Sequence, residues 1–336
     1  MVLPDPTEIE RIGPASLGLA WLAEDVLNAP ELLAEIRAIV AARARPDLRT
    51  EIDGLLLSRV ETAEPDYSLT EPLFVVLAQG GKRLLLGEHT YEYRAGQCLV
   101  VAADLPVTGH FLGASPTSPA LGVGLALRPA VLAPLLLEIP PVVRGAGAAE
   151  ARQHAIATGD AGPQLLDAVA RLLRLLDRPT DRAVLAPLVE REILWRLLTG
   201  PHGAMVRQIG LADSGLSHVR RAIHWIRDNY AEPMRIEDVA RLAAMSPSAF
   251  HRHFRAVTAM SPLQFQKRIR LQEARVLLVG GAGDVAGVGH LVGYDSPSQF
   301  NREYRRQFGV PPGQDAIRLR AAATTADAGR PERRLP

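Results

Sequence analysis

Two stretches fifty residues apart, SPSAFHRHF (246–254) and SPSQFNREY (296–304), share the pattern S-P-S-x-F-x-R-x-aromatic. Each opens with a serine, whose hydroxyl can accept from the free N–H groups at a helix start. Proline follows at the first helical position, where its missing N–H costs nothing. Each stretch then sets aromatic residues at i and i+4, Phe250 with Phe254 and Phe300 with Tyr304, so that both share one helix face and must be buried. The residues between them, Arg252 and Arg302 above all, are left facing solvent or a partner.

Working outward, a shorter apolar-periodic segment precedes each stretch: IEDVARLA (236–243) running into Ala244-Met245, and DVAGVGHLV (284–292) running into Gly293-Tyr294. Helix, tight turn and second helix with a basic outer face is the helix-turn-helix pattern. Between the units, Phe265, Ile269, Leu271, Ala274 and Leu278 have the spacing of a connecting helix over 262–278. Two such units on one rigid connector can enter successive major-groove segments on one face of DNA, one turn (~34 Å) apart.

Charge divides the chain in the same place. Residues 1–204 hold 18 Lys+Arg against 25 Asp+Glu, and residues 205–320 hold 17 against 10, within a chain of 336 residues and net charge +1. An acidic domain joined to a basic one that meets a polyanion is the organisation this implies. The single cysteine, Cys98, excludes an internal disulfide framework and a multi-cysteine metal site. The first ten residues, MVLPDPTEIE, lack the basic and apolar regions of a signal peptide, and no apolar run approaches the roughly 18 residues of a membrane span, so a cytoplasmic protein is expected.

In the acidic part, residues 31–43 carry Leu32, Ile36, Ile39 and Val40 on one helical face. From about 50 to 130 the pattern turns to short apolar runs separated by Gly, Pro and Asp, the signature of a β-sandwich or barrel. One of these, GGKRLLLGEHTYEYRAG (80–96), reads as a hairpin with Gly87 and Glu88 near its turn. Helical periodicity returns over 163–176 and 181–199, an αα-hairpin that either covers the β domain or forms a dimer interface. Residues 200–217, rich in Gly and small polar residues, mark the domain boundary. Residues 321–336 read as a disordered tail.

The segment 218–320, with RAIHWIRDNYAEPMRIEDVARLA, the two serine-capped stretches, R-L-x-x-A-R-x-L-L between them and GYDSPSQFNREYRRQFGVPP, resembles the AraC/XylS family of bacterial transcription regulators. The resemblance implies that Ser248, His251 and Arg252 in the first unit and Ser298, Gln299, Asn301 and Arg302 in the second read DNA. Arg can contact guanine at two points, and Gln or Asn can do so at adenine. Arg255, Lys267, Arg268, Arg270, Arg305 and Arg306 read as phosphate contacts or solvated surface. In one departure, glycine stands at 289 where the family usually has alanine. With Gly287 this puts two glycines inside one short helix, each costing ~1 kcal/mol relative to alanine.

Residues 30–140 resemble the N-terminal domain of one branch of that family, which implies a cupin-like β-barrel responsive to a small molecule. The β region offers only His89 and His110 and no H-x-H pair, so no metal and no cofactor are expected; the H-x-H at His251/His253 lies on the DNA-facing helix. No nucleophile–base pair or paired-carboxylate spacing marks an enzyme. Cys98 reads first as a small buried hydrophobe. Its sharper reading is an electrophile-sensing thiol whose pKa Lys82 and Arg83 would lower if they lie near it.

The expectation is therefore an α+β two-domain protein. A cupin-like β-barrel (about 50–130) with a flanking helical hairpin fills 1–204, and an all-α domain with two helix-turn-helix units fills 205–320. It would be a ligand-responsive activator of transcription, a homodimer whose partners are double-stranded DNA, a small-molecule effector and RNA polymerase. The alternatives are a cupin-type metal-dependent enzyme fused to a DNA-binding module, and a basic module that binds acidic proteins.

Overall fold

The alternating segments between Leu55 and Ala126 form eight strands in the computed structural model, which describes residues 28–139, 155–212 and 214–328. They are β1 (Leu55–Val60), β2 (Asp66–Thr70), β3 (Leu73–Gln79), β4 (Gly81–Leu86), β5 (His89–Arg94), β6 (Gln97–Val101), β7 (Leu105–Leu112) and β8 (Ala120–Ala126). The orders are β1-β8-β3-β6 in one sheet and β2-β7-β4-β5 in the other, every pair antiparallel. This is the double-sheet arrangement of a jelly roll, the cupin architecture. The expected barrel over 50–130 is not closed. Successive strands mostly cross from sheet to sheet, each sheet keeps two edges, and a ninth strand from outside that range, β9 (Ile156–Asp160), covers the edge of β6. The hairpin does form as read, β4 pairing with β5 around Gly87, whose φ of 60° suits a residue without a side chain.

Helices cover the five-stranded sheet. Helix α1 (Ala29–Arg43) buries Leu32, Ile36 and Val40. After α2 (Pro129–Glu138) and β9 come α3 (Pro163–Arg174), a 3-10 turn (Leu175–Asp177) and α4 (Pro179–Thr199), the expected hairpin. The boundary segment is more ordered than its composition implies. Helix α5 (Gly203–Gly210) forms there and buries Met205, Val206 and Ile209. A side chain at Gly210 would come within 2.9 Å of Leu136 on α2, so this glycine serves close packing rather than a loop.

The C-terminal domain runs α6 (Gly215–Asp228), α7 (Ile236–Leu242), α8 (Pro247–Thr258), α9 (Pro262–Val279), α10 (Val285–Leu291), α11 (Pro297–Phe308) and α12 (Pro312–Ala328). The last helix corrects the tail reading, since residues 321–328 continue α12; the remainder of that tail (329–336) and the leading residues 1–27 lie outside the described residues. Buried apolar side chains gather in two clusters. One runs without a break from α1 through both sheets into the first helix-turn-helix unit. The other is confined to the second unit, around Phe300, Tyr304 and Phe308. Among the described residues, no helix is long and apolar enough to cross a membrane.

Candidate nucleic-acid interface

Each helix expected to read DNA is built as its sequence directs. Ser246 caps α8 by accepting from the Ala249 N–H (3.3 Å), and Ser296 caps α11 by accepting from the Gln299 N–H (3.4 Å). Phe250, Phe254, Phe300 and Tyr304 are wholly buried. Edge-to-face contacts join Phe254 to Phe250 and to Phe265 of α9, with both pairs of ring centroids 5.3 Å apart. Both helices end at a left-handed residue, Ala259 (φ 57°) and Gly309 (φ 79°).

Burying the aromatic stripe turns the other face outward. Ser248, His251, Arg252 and Arg255 on α8 are exposed, as are Ser298, Asn301, Arg302 and Arg306 on α11. Among the described residues, the guanidinium groups of Arg252, Arg255, Arg302 and Arg306 make no hydrogen bond or ion pair and so are available to an anion. Asn301 donates to its own helix at the Pro297 carbonyl (2.9 Å). Gln299 donates to Glu303 (3.2 Å).

Glu303 is a hub that the sequence reading missed. It accepts from Lys267 of α9 (2.8 Å), from the Tyr294 hydroxyl (2.8 Å) and from Gln299. Burial pushes its carboxyl up, but these three donors outweigh burial and hold it below the usual carboxylate range. Lys267 therefore braces α9 against α11.

Two other cations read as phosphate contacts or surface are engaged inside the protein. Arg270 donates to the carbonyls of Tyr230 (2.6 Å), Gly293 (2.6 Å), Ala231 (3.1 Å) and Glu232 (3.0 Å). It ties the loop before α7 to the turn of the second unit. Gln266, one helical turn earlier, donates to Tyr230 and Glu232 as well. Arg268 donates to Thr108 of β7 (3.1 Å), across the domain boundary. The one signal for this inward use was spacing: 266 and 270 share a face of the connecting helix.

The N-terminal sheets lie directly against this domain. Asp104, 2% exposed, pairs with Arg227 of α6 and lies 3.6 Å from His224. The Gly87 turn presses on the first reader so closely that a side chain there would sit 2.9 Å from the Ala259 carbonyl oxygen. A cleft of about 340 Å³ remains between this turn and the basic domain, with Glu88, Arg255, Lys267, Glu303 and Arg306 among its lining residues.

The structure does not bring the proposed sensor cluster together. Cys98 is buried on β6, in the five-stranded sheet, where burial and then nearby Asp160 push its thiol up to about 11. It lines a cavity of about 230 Å³ with Asp160, Arg196 and His202. Lys82 and Arg83 belong to the other sheet. Arg83 pairs with Glu92 at the surface, while Lys82 lies over the Phe111 ring (4.4 Å) and 3.8 Å from Asp66. Burial lowers the Lys82 pKa, against the pull of Asp66. No group of three His, Cys, Asp or Glu able to hold a metal occurs among the described residues.

Comparison with known proteins agrees with this layout. Residues 51–205 match the family described as AraC-type transcriptional regulator N-terminus, and residues 239–316 match a helix-turn-helix domain. The chain is 27% identical over 161 residues to the HTH-type transcriptional activator RhaS of Salmonella typhimurium, covering 46% of this chain and 56% of that protein. It thus spans about half the length of the curated relatives it matches. Two structures of ToxT from Vibrio cholerae strain SCE256, an apo variant and the unsaturated fatty acid-bound wild type, superpose with a TM-score of 0.53 each at 9% and 10% identity. They cover 80% of this chain and 99% and 97% of theirs. At such identity the likeness is one of fold.

Proposed function

Since the chain belongs to the AraC family of transcriptional regulators, with its N-terminal regulatory and C-terminal helix-turn-helix domains, we propose that it is a sequence-specific, ligand-responsive activator of transcription. The observation that carries this reading is the pair of serine-capped helices braced on α9, each presenting an unpaired arginine, Arg252 and Arg302, on its exposed face. Arg252 and Arg302, with Ser248, His251, Ser298, Gln299 and Asn301, would meet base edges in two successive major-groove segments. Arg255 and Arg306 would meet phosphates. Lys267 reaches a phosphate only by leaving Glu303.

A small-molecule effector would act through the jelly roll, whose four-stranded sheet touches α9 directly. Its effect is bounded by its preference for one docked state over another. A second copy would pack on α4, where Val184 and Leu188 are 66% and 58% exposed. RNA polymerase would be the partner of the DNA-bound form, in the cytoplasm, and no catalytic role is assigned.

Selection of bound sequences from a random duplex library tests the reading. The expected outcome is two short motifs about one helical turn apart; absence of any enriched sequence would overturn it. Arg252→Ala and Arg302→Ala should each cost about 1–3 kcal/mol and relax specificity at one base pair.

A further inference from the structure

The second reading helix is held along its length by different parts of the molecule. The turn before it and its middle are fixed within its own domain, through Arg270 on the Gly293 carbonyl and Lys267 on Glu303. Its C-terminal end, Phe308, meets a residue of the other domain. Tyr67, on β2, sets its ring edge-on to Phe308 with centroids 4.8 Å apart and planes at 78°. The Arg275 guanidinium lies 4.7 Å from the Tyr67 ring centroid and 4.9 Å from that of Phe308, so one cation serves both rings. The same guanidinium pairs with wholly buried Asp315 (2.8 Å), which also accepts from the Tyr304 hydroxyl (3.0 Å). Beside Tyr67, the Ser68 carbonyl accepts from Gln272 of α9 (3.2 Å).

Among the described residues, Tyr67 is the one partly buried apolar side chain of the β domain packed against the second unit's apolar cluster. Without it, Phe308 and the Arg275–Asp315 pair would lie open on that side. Strand β2 is also lightly held: it is five residues long and at the edge of its sheet, paired only with β7. A change in the sheets is therefore felt first where Tyr67 stands.

We propose that Tyr67 is a positioning residue for DNA reading: it completes the second reader's core from the regulatory domain and makes the contact of α11 with DNA depend on the state of β2. The first reader meets the regulatory domain differently: the Gly87 turn abuts the backbone of Ala259 at its end, while its aromatic pair is closed by Phe265 of its own connecting helix. This inference rests on the DNA-reading function proposed above and assigns the regulated step to one of the two half-sites.

The test uses the full chain and three duplexes: the selected operator, the operator with the first half-site scrambled, and the operator with the second scrambled. Wild type should lose at least tenfold in affinity on scrambling either half. Tyr67→Ala should still lose tenfold on scrambling the first half but less than threefold on scrambling the second. Tyr67→Phe, which keeps the ring, should restore the wild-type pattern. Hydrogen exchange should show faster exchange confined to residues 285–308 in Tyr67→Ala. Tyr67→Leu, which keeps apolar bulk on the strand, replaces it in both measurements if the alanine variant does not fold. An undiminished penalty for the second half-site in the alanine or leucine variant, or equal losses at both halves, would overturn the proposal. Indifference of wild type to both scrambled duplexes would instead overturn the DNA-reading function itself.

Discussion

The two readers carry the same nine-residue signature and are stabilised in opposite ways. The first packs chiefly through apolar contact: Val239 and Ala240 of α7 and the following Ala243 are buried with Phe250 and Phe254, the buried Thr258 hydroxyl bonds to the Phe254 and Met260 carbonyls, and the apolar cluster continues into the rest of the molecule. The second is an island with polar groups inside it. Asp315 is wholly buried against Arg275 and the Tyr304 hydroxyl, and its helices approach through glycine rather than alanine. A side chain at Gly289 would stand 2.9 Å from Cδ1 of Phe300. The propensity cost of glycine in α10 is thus offset by a helix–helix approach that alanine would block. A motif fixes which face turns outward; it leaves open how firmly that face is held.

The largest expected effect separates the two units by their buried charge. Asp315→Ala leaves Arg275, 14% exposed, without its carboxylate and should cost about 3–5 kcal/mol. Hydrogen exchange should show the loss in 262–320 and leave 236–258 protected; equal loss in both would break the comparison. Acid should act in the same order. Burial pushes the Asp315 carboxyl up, but its bonds to Arg275, Tyr304 and Arg318 outweigh this and hold it below the ordinary aspartate value. A depressed pKa gives stability that is full above the unfolded value and lost as pH falls through the folded one. The second unit should therefore open before the first as pH falls below about 3.8, observed by exchange at stepped pH.

Next in size is Gly289→Ala, where propensity and packing predict opposite signs. Propensity alone gives a gain of ~1 kcal/mol, whereas overlap with the Phe300 ring gives a loss of about 1–3 kcal/mol. A lower urea midpoint is expected, and a higher one would return the position to the ordinary family rule. The smallest effect compares the caps. Ser246→Ala and Ser296→Ala should each cost ~1 kcal/mol, their capping bonds being alike at 3.3 Å and 3.4 Å, and an unequal loss would show that the units hold their first turns differently. Amide exchange at Ala249 and Gln299 reads the two locally.

How much of this was legible in the sequence follows from how local each cause is. The reading helices, their caps and buried aromatics, the connecting helix and the β4–β5 hairpin are written in short-range spacing, and all formed as read. The β domain was legible as a sandwich or barrel of the cupin kind, but its division into two open sheets was not, because the pairing of β1 with β8, or of β6 with β9, is decided by partners some sixty residues apart. Helix α5 hid in a glycine-rich stretch because Gly210 serves contact with α2 and Gly203 a close approach to the Leu198 carbonyl. Arg268 and Arg270 read as surface or phosphate contacts because a sequence shows a charge and not the carbonyls around it. Tyr67 carried no signal at all: it lies in a short, half-polar strand, and its partners are some two hundred residues away.

The clamp at Arg270 has a consequence for the DNA. Its guanidinium joins both units through backbone carbonyls, and Gly293 leaves so little space that a Cβ would fall 2.2 Å from the Ala231 oxygen. Under the proposed function the two readers are tied like the jaws of a gauge, set at one spacing and angle by this clamp. Such a gauge measures helical phase as well as sequence. One base pair inserted between the half-sites rotates the second by about 34–36°, a turn that readers tied at Arg270 would follow only by straining that clamp. Half a turn of added DNA would present the far side of the duplex, and a full turn would restore the angle at a distance the jaws cannot span.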